Sequence, residues 1–323
     1  MNRLFHLRLG DDHVHKTRTR LAFLFVMALC LALTPACARS GQPASGTDDA
    51  QVEEQVPVNP LDGITAESRV VAISRSVGEL WLLSGGQLVG VTDDALDLEG
   101  LPKDAPSVGD ATQPNLDKVL SLEPDLVLLA EGEPSHSELE AGLMGADVPA
   151  LPVDIDSFDE YATVMQALTG ATGRADLYEK NVTDVQVRID EVVAHNMLPD
   201  RGTYLAMVVS PAEASALDSD NIACNILNDL GMTNLTADGS SGEVTFDTIA
   251  QTNPDWIFVI YKGDNAQPTF ESQFVSHPMW SQVEAVKQGH VLALPNNLFE
   301  FPPNTRWAEA YGYLSQVLHG SWA

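Results

Sequence analysis

The sequence predicts an α/β fold made of two doubly wound lobes joined by a long rigid helix. Three observations carry this. From residue 69 onward short apolar runs alternate with segments of helical periodicity, the pattern of a mainly parallel sheet with helices on both faces. A helix–strand unit occurs twice, as "NLDKVLSLEPDLVLL" (115–129) and "TFDTIAQTNPDWIFV" (245–259). Leu116 matches Phe246, Asp117 matches Asp247, Val119 matches Ile249, Pro124 matches Pro254 and Asp125 matches Asp255, all at an offset of 130 residues. Between the copies, residues 157–196 read as helix, with no flexible Gly/Pro-rich linker.

The first 36 residues read as a removable signal segment. "HKTRTR" is basic, and "LAFLFVMALCLAL" (Leu21–Leu33) is too short for an ordinary membrane span but suits a signal core. "TPAC" follows, with small Ala36 before Cys37. This resembles a bacterial lipoprotein cleavage site, which makes Cys37 the expected lipid attachment point. Residues 37–67 are rich in Gly, Ser, Pro and acids and poor in bulky apolar side chains. Such a segment cannot bury enough surface to fold alone and is expected to be a tether.

The chain carries a formal charge of −29, and 44% of its residues are apolar. Residues 1–36 hold five basic and two acidic side chains, so without them the charge is −32. A surface that acidic repels nucleic acid. Of the three cysteines, Cys30 lies in the signal segment and Cys37 is the lipid site, leaving Cys224 without an intramolecular partner. Cys224 shares helical spacing with Ile222, Ile226 and Leu227, which points to a small core residue.

Residues 68–156 form the first lobe. Its strands are expected in "RVVAIS" (69–74), "QLVGVT" (87–92), "PDLVLLA" (124–130) and "PALPVD" (149–154), with helices over "PNLDKVLSL" and "SHSELEAGLMGA". Residues 157–200 are the bridge. Ser157 and Glu160 make a capping box, "TGATG" interrupts, and a second helical run covers about 174–196. At 1.5 Å per residue that run is roughly 30 Å long, enough to cross between lobes and hold them rigidly. Residues 201–323 form the second lobe, with strands expected in "TYLAMVV" (203–209), "MTNLT" (232–236), "PDWIFVI" (254–260) and "HVLALP" (290–295). Pro124 and Pro254 mark strand starts, since proline cannot donate to a ladder. Asp125 and Asp255 are expected as turn residues.

The segments "VGDATQPNLDKVLSLEPDLVLLAEG", "NPDWIFVIYKGD" and "HPMWSQVEAVKQGHVLALPNN" together resemble the substrate-binding proteins for ferric siderophores, haem and cobalamin. There a Gly-rich turn leads through a helix to a P-D strand, and a Trp-containing helix leads through A-V-K-x-G to the last strand. The resemblance runs from about Val70 to Leu318. It implies a ligand cleft between two α/β lobes and delivery of a metal chelate to the permease of an ABC importer. It also implies one surface acid per lobe docking on that permease, for which Glu138 and Glu271 are the choices. A monomer on a lipid anchor outside the cytoplasm is expected, with no resident cofactor.

Open α/β sheets build sites at the carboxyl ends of their strands. Lobe one offers Ser74, Arg75, Ser76, Asp93, Thr112 and Glu131 there. Lobe two offers Ser210, Tyr261, Lys262 and the loop "NNLFEFPPNTRW", with Asn297, Phe299, Phe301, Arg306 and Trp307. Arg75 and Arg306 are expected to hold an anionic ligand from two sides, and the aromatics either to supply flat contacts or to cover the core. Among the histidines outside the signal segment only His136 lies beside a predicted cleft loop, so a metal cage of several histidines is not expected. No G-x-S-x-G, H-E-x-x-H, C-x-x-C or P-loop pattern occurs. The alternatives are a binder of a bare transition-metal ion or small oxyanion, and an extracytoplasmic enzyme on the same fold.

Overall fold

Strands that are apolar on every residue must be covered on both faces, and the computed structural model shows how this chain does so. It describes residues 59–196, 201–236 and 242–320. Lobe one contains β1 (Val70–Ala72), α1 (Arg75–Leu83), β2 (Leu88–Val91), the ribbon β3 (Gly109–Asp110) and β4 (Gln113–Pro114), α2 (Leu116–Ser121), β5 (Leu126–Ala130), α3 (Pro134–Gly145) and β6 (Ala150–Val153). Its main sheet is parallel in the order β2-β1-β5-β6. Val71, Val127 and Leu129 pack on Val119 of α2 and Leu139 and Leu143 of α3. Val70, Ala72, Leu126 and Leu128 face the opposite way, toward α1 and the bridge.

The tether ends earlier than expected. Residues 59–67 form turns against lobe one, with Ile64 buried and Leu61 packed beside it. These are the bulky apolar residues of that stretch, and burial outweighs its polar composition. Cys37 and the signal segment lie outside the described residues.

The bridge begins with α4 (Phe158–Thr172), whose capping box is formed by Ser157 and Glu160 as expected. Gly173 ends it in the left-handed region at φ 71°. The chain then runs through α5 (Ala175–Tyr178), a π turn (Glu179–Thr183) and α6 (Asp184–Asn196). The π turn is anchored on lobe one, where Asn181 Nδ2 donates to the Leu83 carbonyl (2.9 Å), and on α4, where the Asn181 carbonyl accepts from Tyr161 Oη (3.1 Å). The far end reaches lobe two, where Ser315 Oγ donates to Asn196 Oδ1 (3.0 Å).

Lobe two contains β7 (Thr203–Val209), β8 (Ala214–Ala216), α7 (Ile222–Asp229), β9 (Thr233–Asn234), α8 (Phe246–Thr252), β10 (Trp256–Tyr261), α9 (Ala266–Phe270), α10 (Glu284–Gln288), β11 (Val291–Ala293), α11 (Asn296–Phe299) and α12 (Trp307–Leu318). The order is β11-β10-β7-β8, with β9 also on β7. β8 is antiparallel to β7 and was not expected; three residues suffice for it because Ser210 Oγ accepts from Ala212 N and Glu213 N and tightens the connecting turn. One apolar cluster runs without a break from Val70 and Leu128 through Tyr161, Val185 and Ile189 to Tyr204, Phe258 and Leu314. The two lobes therefore share a core, which suits a rigid connection.

The repeated unit performs the same work twice. Asn115 Oδ1 caps α2 at Lys118 N (2.9 Å), and Thr245 Oγ1 caps α8 at Thr248 N (3.3 Å). Glu123 (φ 46°) and Asn253 (φ 42°) then reverse the chain in the left-handed region. Asp125 Oδ2 accepts from Arg69 N just before β1 (2.7 Å). Asp255 Oδ2 accepts from Thr203 N (2.7 Å) and Oγ1 (2.8 Å) at the first residue of β7. Each aspartate thus fixes the start of a central strand, and so where that strand's other end delivers its loop.

Candidate functional site

Two contacts show the loops at the carboxyl ends of the two sheets meeting. Lys262, one residue past β10, places Nζ 3.9 Å from Oε1 of Glu133, the N-cap of α3 in lobe one. Asn304, past α11, donates from Nδ2 to Glu79 Oε2 (2.6 Å) and to the Ser76 carbonyl (3.4 Å) on α1. Asn304 is buried and holds φ 52°, a reversal that asparagine tolerates better than most residues. Sequence reasoning missed Glu133, Glu79 and Asn304. Each acts through a contact more than a hundred residues away, although Glu133 is foreshadowed by its place between a strand end and Pro134.

Several of the expected residues lie on these lips. Ser74 is the N-cap of α1 and its hydroxyl is 3.2 Å from that of Ser76. Asp93 opens a 3₁₀ turn after β2 and accepts from Ser107 Oγ. Glu131 follows β5, with its amide on the Val153 carbonyl (2.9 Å). Tyr261 ends β10, half-buried against Phe270 with ring centroids 6.0 Å apart, and burial raises its hydroxyl pKa. Its carbonyl accepts from Asn296 Nδ2 (2.7 Å), which holds α11 beside the strand end. Asn297 is exposed on α11. Thr112 is exposed on the β3–β4 turn, where its amide and hydroxyl both donate to Asp110 Oδ1 (2.8 and 2.7 Å). Those bonds hold the Asp110 carboxyl below the usual carboxylate range. Gly109 permits that tight ribbon at φ 116°, where a Cβ would lie 3.1 Å from the Gln113 carbonyl.

The two arginines of the expected clamp each make contacts within their own lobe. Arg75 Nη1 donates to the Asp94 carbonyl (2.8 Å) and pairs with Asp97, which holds the Asp97 carboxyl below its ordinary value. Arg306 Nη2 donates to the Asn297 carbonyl on its own loop. Both guanidinium groups therefore brace loops within their own lobes. Glu300 lies near Lys262: burial raises its carboxyl pKa, and Lys262 partly offsets the rise.

The aromatic expectation divides. Phe299 and Trp307 are fully buried, with Trp307 edge-on to Phe158 at 6.0 Å. They belong to the shared core, because α11 and α12 turn their apolar faces inward. Phe301, between the two helices, is 55% exposed. His136 is likewise buried and structural. Its Nε2 lies 2.9 Å from Ala111 O, and its Nδ1 lies 3.1 Å from Ala130 N and 3.0 Å from Ala130 O, pinning the β3–β4 turn to the end of β5. His290 stacks on Trp256 (3.8 Å) and His277 on Phe246 (3.6 Å). Among the described residues no three His, Cys, Asp or Glu side chains converge as a metal-ion site. Cys224 is buried, which pushes its thiol up to about 12, so it is no nucleophile at neutral pH.

Behind the lips, Asn225 Nδ2 of α7 donates to the Asp156 carbonyl (2.9 Å), joining the lobes near the start of the bridge. Burial pushes the Asp156 carboxyl up to about 7, reinforced by the charges of Asp154, Glu160, Asp220 and Asp218. Glu138 on α3 is exposed. Glu271 opens the turn after α9, also exposed, and accepts from Gln267 Nε2 (3.0 Å).

Known proteins agree with this architecture. The Fe(3+)-citrate-binding protein YfmC of Bacillus subtilis (strain 168) is 25% identical over 284 residues, covering 84% of this chain and 88% of that one. The crystal structure of an ABC transporter substrate-binding protein from Listeria monocytogenes EGD-e superposes with a TM-score of 0.69 at 23% identity, over 79% of this chain and 99% of that one. S. aureus IsdE complexed with heme gives 0.65 at 19%, over 78% and 99%. The family described as periplasmic binding protein matches residues 70–298, and the chain belongs to that family.

Proposed function

We propose that this protein is the extracytoplasmic substrate-binding lipoprotein of an ABC importer, and that it captures a metal chelate such as a ferric siderophore, haem or cobalamin between its lobes. The observation that carries the reading is the approach of the two sheets' carboxyl-end loops, with Lys262 and Glu133 3.9 Å apart on opposite lips, over a rigid helical bridge. The ferric-citrate-binding relative and the heme-complexed neighbour support the ligand class. The proposed contact surface comprises Ser74, Ser76, Asp93, Thr112, Glu131, Ser210, Tyr261, Lys262 and Asn297, with Phe301 as the exposed aromatic. A binding role without catalysis follows from the same reading, and the protein acts as a monomer.

The test is purification from the native host or rich medium. A chromophore with a haem, corrin or ferric-chelate spectrum supports the proposal. A bound bare metal ion, or turnover of an added substrate, would replace it with one of the alternatives. The anchor is Cys37, and Cys37→Ser is expected to release the protein from membranes; a mutant still membrane-bound and normally processed would remove the lipid anchor. Glu138 and Glu271 are the proposed permease contacts. Reversing both charges is expected to abolish uptake without weakening ligand binding, and normal uptake would dismiss them.

A further inference from the structure

Three polar contacts between the lobes differ in how firmly they are made. Asn225 Nδ2 donates to the Asp156 carbonyl (2.9 Å), and Asn304 Nδ2 donates to Glu79 Oε2 (2.6 Å) from a buried residue. Lys262 and Glu133 are different. Their charged atoms are 3.9 Å apart, beyond hydrogen-bond length, and their side chains are 57% and 41% exposed. An exposed ion pair gains little, because water screens it and two long side chains lose freedom.

The pair sits at the middle of the cleft. Glu133 lies three residues past β5, which has β1 and β6 on its two sides; Lys262 lies one residue past β10, between β7 and β11. Both strands belong to the repeated unit, so the two lobes deliver these loops to matching places. Their backbones are held. Lys262 N donates to the Val209 carbonyl (2.8 Å), and the Glu133 carbonyl accepts from His136 N (2.9 Å) and Ser137 N (3.3 Å) at the start of α3. The Glu133 side chain makes no capping bond to that helix. The two side chains can therefore swing while their backbones stay in place.

A multidentate chelate surrounds its metal ion and is far wider than the gap between these two atoms, so it cannot reach the middle of the cleft while the pair is closed. The shared core and the bridge oppose parting of the lobes, which leaves side-chain rotation as the way in. Lys262 has a second acid on its own side. Glu300 ends α11, and Asn296 of that helix donates to the Tyr261 carbonyl (2.7 Å), which holds α11 beside Lys262. Burial raises the Glu300 carboxyl pKa, and Lys262 draws it back. We infer that Lys262 and Glu133 form a side-chain gate across the cleft, that ligand entry parts them, and that Lys262 then pairs with Glu300 within its own lobe. This rests on the proposed capture of a chelate between the lobes and adds how entry to that site is controlled.

The experiment uses the full-length chain in detergent and stopped-flow tryptophan fluorescence. The probes are an uncharged ferric trihydroxamate, ferric citrate, haem and cobalamin. Entry is limited to the fraction of time the pair is open. Glu133→Ala should therefore raise the association rate about two- to sixfold, the range an exposed ion pair sets, with little change in Tm. Glu300→Gln removes the competing acid and should lower the rate about twofold. The two variants each remove one negative charge yet act in opposite directions, which a change in long-range attraction cannot produce. In the double variant the Glu300 effect should vanish, because no closed pair remains for Glu300 to compete with. Suppose a probe binds the wild type. The gate is then refuted, and the chelate reading stands, if Glu133→Ala fails to speed association, if Glu300→Gln fails to slow it, or if the Glu300 effect persists in the double variant. If no probe binds the wild type, the chelate reading fails and the gate falls with it.

Discussion

Asp255→Ala is expected to destabilise the protein clearly more than Asp125→Ala, although the two aspartates occupy matching places in the repeated unit. Asp255 Oδ2 takes two hydrogen bonds, from Thr203 N (2.7 Å) and Thr203 Oγ1 (2.8 Å). Asp125 takes one, from Arg69 N (2.7 Å). Asp255 is half-buried and Asp125 exposed. Gly202 lets the carboxylate approach: at φ 92° a Cβ there would lie 2.9 Å from Oδ2. Hydrogen bonds to a charged acceptor contribute about 1.5–3 kcal/mol each, toward the low end where water reaches them. That gives about 3 kcal/mol for Asp255→Ala and about 1.5 kcal/mol for Asp125→Ala. For a chain of this size those values correspond to losses in Tm of roughly 6–12 °C and 3–6 °C. Urea titration at constant m-value measures both. The pH dependence supplies a second check. The Asp255 carboxyl is held below its ordinary value, chiefly by the Thr203 backbone N–H. A depressed folded pKa contributes stability that is present above the unfolded value of about 3.9 and lost as pH falls through the folded one. The gap between wild type and Asp255→Asn should therefore be full at neutral pH and close in acid. Equal losses for the two alanine variants, or a gap unchanged at about pH 2, would refute the reasoning.

Trp307→Ala and Phe299→Ala should each cost about 3–5 kcal/mol of stability, as fully buried aromatics do, whereas Phe301→Ala should lower ligand affinity with little change in Tm; calorimetric melting and titration separate the two, and a destabilising Phe301→Ala would make that ring structural. Asp156 has a folded pKa raised to about 7, so its ionisation disfavours the native state as pH rises from about 4 to 7. Asp156→Asn should therefore raise Tm more at about pH 8 than at about pH 5, and an equal gain at both would assign the effect to something other than charge. Because the lobes share one apolar core and a helical bridge, X-ray scattering of the free and ligand-loaded protein should differ little. A large compaction would mean that the lobes move on a hinge.

The sequence alone determined the features that arise from near neighbours along the chain. Continuous apolar runs specify buried parallel strands, and Ser157 with Glu160 specifies a helix start, because periodicity and capping act within a few residues. The 130-residue repeat was legible for the same reason: cap, reversal and strand-start aspartate are short-range devices. The tertiary structure alone decided what each site residue faces. The places of Arg75 and Arg306 after strand ends are readable in sequence, but their contacts with Asp97 and the Asn297 carbonyl are not. Phe299, Phe301 and Trp307 are near neighbours in sequence, yet only Phe301 stays exposed. The helix faces and the buried reversal at Asn304, held by Glu79 from the other lobe, set that outcome. Composition and spacing do not encode which distant groups meet, because that depends on how the two sheets are held across the cleft, and the shared core around the bridge fixes that arrangement.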